Sequence, residues 1–85
     1  MDMAIYVDVV TPGNGKTYEF RLDGAMTVGR AREQMIKEIT EAEGGNIALD
    51  PGNAVLGDLD TRAVLRGPDT LPAAGVKSGH RLILL

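Results

Sequence analysis

Few residues in this 85-residue chain could do chemistry. His80 is the only histidine and Ser78 the only serine. A Ser–His pair acts as nucleophile and base only when an acid orients the imidazole and donors await the oxyanion. The local sequence offers neither, so His80 is expected to be an edge-strand residue. Asp58 and Asp60, with Asp50 nearby, suggest calcium ligands. A calcium loop of the EF-hand type needs oxygens at fixed offsets and a late glutamate. Both are missing, and a solvated acidic loop is expected. One histidine and no cysteine cannot build a zinc site. Gly15-Lys16-Thr17 repeats the end of a phosphate-binding loop. That motif needs a glycine where Val10 stands, and a helix where a strand pattern follows. A hairpin turn is expected instead. Arg30, Arg32 and Lys37 could form a basic patch, but Arg30 and Arg32 fall about 200° apart on a helix. Glu33, Glu38, Glu41 and Glu43 offset them. No catalytic residue, cofactor or metal site is expected, so the chain reads as a non-enzyme.

The totals narrow the class. Net charge is −3 and the nine basic residues are scattered. Phosphate neutralisation needs clustered cations, so nucleic acid is not the expected partner. No apolar run approaches the ~20 residues of a membrane span. The start, MDMAIYVDVV, lacks the basic opening and apolar run of a signal peptide. Together with the absence of cysteine, this suits the cytoplasm. Residues 1–85 make one domain with one modest core.

The element that must position everything else is a helix over Thr27 to Glu43. Val28, Ala31, Met35, Ile39 and Ala42 recur at spacings of three and four, and Ile36 widens the stripe. Thr27 is a good N-cap, and Gly44-Gly45 supplies the stop. Gly29 looks like a weak spot, costing up to ~1 kcal/mol against alanine. Ahead of the helix, Ile5 to Val10 and Thr17 to Leu22 alternate around a Gly-rich turn, which makes a β-hairpin. Ile5, Val7, Val9, Tyr18, Phe20 and Leu22 are expected to face inward. After the helix, Asn46 to Leu49 is expected to be a third strand. Ala54 to Arg62 is the least legible stretch. It reads as a surface loop over Val55, Leu56 and Leu59, or as one helical turn. Ala63 to Arg66 is expected to be another short strand, and Thr70 to Val76 a helical turn anchored by Leu71 and Val76. His80 to Leu85 is expected to be the last strand, lying parallel to the first. One amphipathic helix across a mixed sheet is a two-layer α+β domain of the β-grasp type.

GKTYEFRLDGAMTVGRAREQMIKEI resembles the hairpin-to-helix passage of ubiquitin, and LRGPDTLPAAGVKSGHRLILL resembles its end. The stretch from Asn46 to Arg62 is longer than its counterpart. The resemblance implies a ubiquitin-like β-grasp fold with a β-hairpin, one helix and a mixed sheet. The conjugated relatives and the sulfur carriers end in a flexible Gly-Gly tail. Here the sequence stops at Leu84-Leu85, within the last expected strand, which argues against a modifier or a sulfur carrier. In size, charge and ending the chain is similar to the YukD family of small bacterial ubiquitin-like proteins of type VII (WXG100, ESX or Ess) secretion. That resemblance implies a non-conjugated cytoplasmic accessory or regulatory module with protein partners drawn from the secretion machinery. A cytoplasmic ubiquitin-like domain cut from a larger secretion membrane protein would read much the same.

Ubiquitin binds partners on an apolar patch of its sheet. The corresponding face here would carry Ile83 and Leu85, with Ala48 beside them if the third strand lies as expected. These three are the candidate partner-binding residues. The long segment from Asp50 to Arg62 is the second candidate, because unusually long loops in compact domains often carry function.

Overall fold

The computed structural model describes residues 3–47 and 49–85. Strand β1 (Ala4–Thr11) and strand β2 (Lys16–Asp23) pair antiparallel without interruption from Ala4↔Asp23 to Thr11↔Lys16. The turn between them closes on the Thr11 carbonyl, which accepts from Asn14 and Gly15 N–H. Gly15 has φ +70°, a conformation that costs glycine little.

Helix α1 spans Val28–Ala42. Thr27 is the N-cap, its hydroxyl accepting from Arg30 N–H at 3.2 Å. Two further donors of the first turn are satisfied from outside the helix. Val28 N–H donates to the Asp69 carbonyl (2.8 Å) and Gly29 N–H to the Gly67 carbonyl (3.0 Å). Gly29 therefore sits where the helix start meets the chain, and a Cβ there would lie 3.4 Å from the Gly67 oxygen. At the other end Gly45 N–H reaches the Thr40 carbonyl and Gly44 N–H the Glu41 carbonyl, with φ of +82° and +62°. This pair of bonds is the Schellman stop that two adjacent glycines allow.

Three short strands complete the sheet: β3 (Leu56–Asp58), β4 (Ala63–Val64) and β5 (Arg81–Leu84). Their order is β2-β1-β5-β3-β4, with β1 and β5 parallel and the other pairs antiparallel. The third strand is not where the sequence suggests. Asn46, Ile47 and Leu49 are not in a strand, and Ile47 and Leu49 pack on the core from a loop. The strand lies instead inside the stretch expected to be a loop. Its three residues, with Gly57 in the middle, are too short to show alternation, and pairing of Leu56 with Leu84 decides the matter. Leu56 is buried, whereas Val55 and Leu59 are exposed, not tucked under. The fourth strand stops at Val64, short of Arg66. Strand β5 is central, so His80 precedes a central strand and is not an edge residue. Beyond β5, Leu85 and Val55 still exchange N–H···O=C bonds at 2.8 and 2.9 Å.

The core forms where α1 crosses the sheet. Val28, Ala31, Met35, Ile36 and Ile39 meet Ile5, Val7, Val9, Phe20, Leu22, Leu56, Leu82 and Leu84. Each large side chain buried this way is worth about 1.5–3 kcal/mol over exposure. Leu71 and Val76, at opposite ends of a helical turn, close one end of that core. Ala74 N–H donates to the Thr70 carbonyl and Val76 N–H to that of Leu71.

Candidate functional site

Alternation along the strands sends every second side chain to the face away from the helix. On that outer face the register lines up Thr17, Val10, Ile83, Gly57 and Val64 in one cross-strand row. The next row holds Leu85 beside Val55. Val64 is 72% exposed, Leu85 60% and Val55 41%, while Val10 and Ile83 are half-buried among them. Gly57 makes this corner flat. A Cβ at Gly57 would stand 3.2 Å from Ile83 Cγ2, so the isoleucine occupies the space over the glycine backbone. Toward the other end of the sheet the face turns ionic, with Asp8 beside both Glu19 and Arg81. The result is an apolar corner on β1, β5, β3 and β4 with a charged border, the arrangement of a protein-docking surface.

Of the three residues expected here, Ile83 and Leu85 lie together on this corner. Ala48 is outside the described residues. Val10, Val55 and Val64 join it, and the sequence alone did not bring them forward. Val10 ends an alternating run and was legible as an outward position. Val55 and Val64 became assignable only once β3 and β4 were placed.

The same misplaced strand hid a polar cluster. Asp58, expected to be solvated, has a fully buried side chain. Its Oδ1 accepts from Asp60 N–H (2.9 Å) and Thr61 N–H (3.4 Å), and its Oδ2 lies 2.8 Å from His80 Nδ1. Asp60 Oδ2 accepts from Arg81 N–H at 2.6 Å. The acid that seemed absent for His80 is therefore Asp58, 22 residues away in the chain. Ser78 does not complete a catalytic set, because its hydroxyl accepts from Tyr6 N–H at 3.1 Å and so holds the start of β1. One ligand atom from each of Asp58, Asp60 and His80 falls within 4.8 Å of the others. Three of the carboxylate oxygens already serve these donors. The cluster ties the turn after β3 to the start of β5.

A second polar tie joins the hairpin tip to the end of the helix. Lys16 Nζ lies 2.9 and 2.8 Å from the two Glu43 oxygens, and Tyr18 donates to Glu43 Oε1 at 2.6 Å. Asn14 Nδ2 donates to the Tyr18 hydroxyl, and the Thr11 hydroxyl donates to Asn14 Oδ1. The hydrogen bond from Lys16, then that from Tyr18, holds the Glu43 carboxyl below its ordinary range. The bond to Glu43 raises the Lys16 ammonium in turn. The lysine of the Gly15-Lys16-Thr17 string is thus part of a structural tie in a hairpin, not a phosphate site. Arg30 is exposed and Arg32 half-buried, so they form no shared basic face.

With the geometry in place, comparison with known proteins settles the family. The family model described as WXG100 protein secretion system (Wss), protein YukD matches residues 4–84. The chain belongs to the YukD family. This makes it a ubiquitin-like module associated with WXG100 secretion. Solved structures agree on the fold. The N-terminal ubiquitin-like domain of the 4931431F19Rik protein is 25% identical, with a TM-score of 0.77, over 100% of this chain and 76% of that one. The ubiquitin of Caldiarchaeum subterraneum is 22% identical (TM-score 0.68), over 95% of this chain and 90% of that one. The ubiquitin-like domain of Plasmodium falciparum Dsk2 is 17% identical (TM-score 0.74), over 96% of each chain. A search of the curated proteins finds no match. Among the described residues of this YukD-family chain, no helix is long and apolar enough to cross a membrane.

Proposed function

We propose that this YukD-family protein is an accessory or regulatory docking module of WXG100 secretion, working in the cytoplasm by reversible protein binding without conjugation. Its contact surface is the apolar corner of the outer sheet face, centred on Ile83 and Leu85 and extended by Val10, Val55 and Val64. The observation that carries this reading is the exposure of Val64, Leu85 and Val55 around the flat floor at Gly57. Such side chains gain about 25 cal/mol for each Å2 that a partner covers. Binding, not catalysis, suits a molecule whose Asp58–His80 pair faces no nucleophile and whose Ser78 hydroxyl is engaged by Tyr6.

The test is affinity capture from cells that carry the WXG100 secretion genes, with secretion components quantified. Ile83→Ser with Leu85→Ser should abolish their recovery while leaving the melting curve near that of the parent. Equal recovery on the doubly substituted protein would remove this face from consideration.

A further inference from the structure

The two edges of the sheet are managed differently. One edge, β4, is only two residues long. The other, β2, has eight residues in continuous register with β1, and neither a proline nor a bulge interrupts it. Natural edges are usually shortened, bent or blocked, because unpaired N–H and C=O groups recruit further strands. Gly24 N–H donates to the Met3 carbonyl, and Asp8 N–H is turned the other way to the His80 carbonyl. The alternation of an antiparallel ladder then points the backbone groups of Thr17 and Glu19 away from β1, toward the open edge.

Beside that edge runs a groove of about 540 Å3 between β2 and α1. Tyr18, Phe20, Ile39 and Ala42 line it, and Gln34 and Glu38 stand on its helix side, joined by a 3.1 Å hydrogen bond. Both flanks carry a carboxylate, Glu38 on the helix and Glu19 on the strand. The helix cations Arg30 and Lys37 sit on a different face, around Met26. Self-pairing of two copies centred on Glu19 would set Glu19 opposite Glu19, which like-charge repulsion disfavours. The acidic flanks suit a cationic strand.

We propose that β2 accepts an extended, lysine- or arginine-bearing peptide segment as an added strand, its small apolar side chains entering the groove against Phe20, Ile39 and Ala42. Backbone bonds to Thr17 and Glu19 supply the register, and Glu38 and Glu19 select for positive charge. This site is separate from the outer sheet face and stands or falls independently of it.

The probe is a capped nine-residue peptide alternating valine and lysine, added to isotope-labelled protein. Expected are shifts of the amide resonances of Thr17 to Arg21 and of Gln34, Glu38 and Ala42, with slowed exchange of the Glu19 amide. Glutamate in place of lysine in the peptide should weaken binding at least ~10-fold, as should Glu38→Lys in the protein. Methylation of the peptide nitrogens that face β2 should abolish binding while leaving its side chains intact. The Ile83→Ser, Leu85→Ser protein should bind the peptide like the parent. The proposal is overturned by equal binding of the methylated peptide, by shifts confined to Val10, Ile83 and Leu85, or by no binding up to about 1 mM. A peptide-free dimer paired through β2, detected by sedimentation, would place a second copy on the edge and overturn it as well.

Discussion

Asp58 is the residue whose environment departs most from its sequence setting. A carboxylate between Gly57 and Leu59 in an acidic stretch reads as a solvated loop residue. It is instead buried and accepts from two backbone amides while it engages His80. Removing it leaves those buried donors without a partner, a loss of about 1–3 kcal/mol for each group stranded. Asp58→Ala should therefore cost about 2–4 kcal/mol in urea unfolding, and Asp58→Asn, which keeps an acceptor oxygen, clearly less. Equal losses for the two would mean that the cluster is held by packing alone. At the hairpin tip the prediction concerns pH. Glu43, held below its ordinary 4.5 by Lys16 and Tyr18, favours the folded state above that pH. The contribution is lost as pH falls through the lowered folded-state value. Lys16, held above its ordinary 10.5, favours the folded state below that pH and loses its contribution as pH rises through the raised value. A double-mutant cycle on Lys16→Gln and Glu43→Gln should show coupling at pH 7 and none at pH 3. Coupling that persists at pH 3 would point to a neutral hydrogen bond as its source.

Among the elements, the helical turn from Thr70 to Val76 shows how a short segment holds a larger one. Thr27 and Thr70 form a bridge, Leu71 N–H donates to the Met26 carbonyl, and the Leu71 side chain is fully buried. The turn and the start of the helix are thus one unit. Leu71→Ala should cost ~2–4 kcal/mol by opening a cavity there. A melting curve that hardly moves would show that the turn is peripheral. The elements also show what could be read in advance. The hairpin and α1 were legible because each is long enough for its period to show over several repeats. The stop at Gly44-Gly45 and the cap at Thr27 were legible because glycine and threonine do those tasks locally. Strand β3 was not. Leu56 belongs in a strand only because Leu84 lies opposite, a pairing 28 positions distant in the register. Asn46 to Leu49 carried the better local strand pattern, yet it is a loop, so tertiary pairing overrode propensity. The candidate site inherited that gap. Ile83 and Leu85 were visible, Val55 and Val64 were not, and the Asp58–His80 pair was missed with them.

On the scale of the whole molecule, the two faces of the sheet have separate tasks. The inner face binds α1 and makes the domain stable. The outer face is released from that role and can change without unfolding the protein. Strand β5 joins the two, placing Leu82 and Leu84 in the core while it presents Ile83 outward. Its position between β1 and β3 holds the docking corner on the most constrained part of the sheet. Little ordering entropy then remains to be lost when a partner binds. The measurement that tests this account most directly is export of a WXG100 substrate from cells lacking the chromosomal copy of this protein, complemented in parallel by parent and variant. The parent should restore export. Ile83→Ser with Leu85→Ser, present at equal abundance, should not, whereas Lys37→Ala on the exposed helix face should. Full restoration by the sheet-face variant would contradict the account.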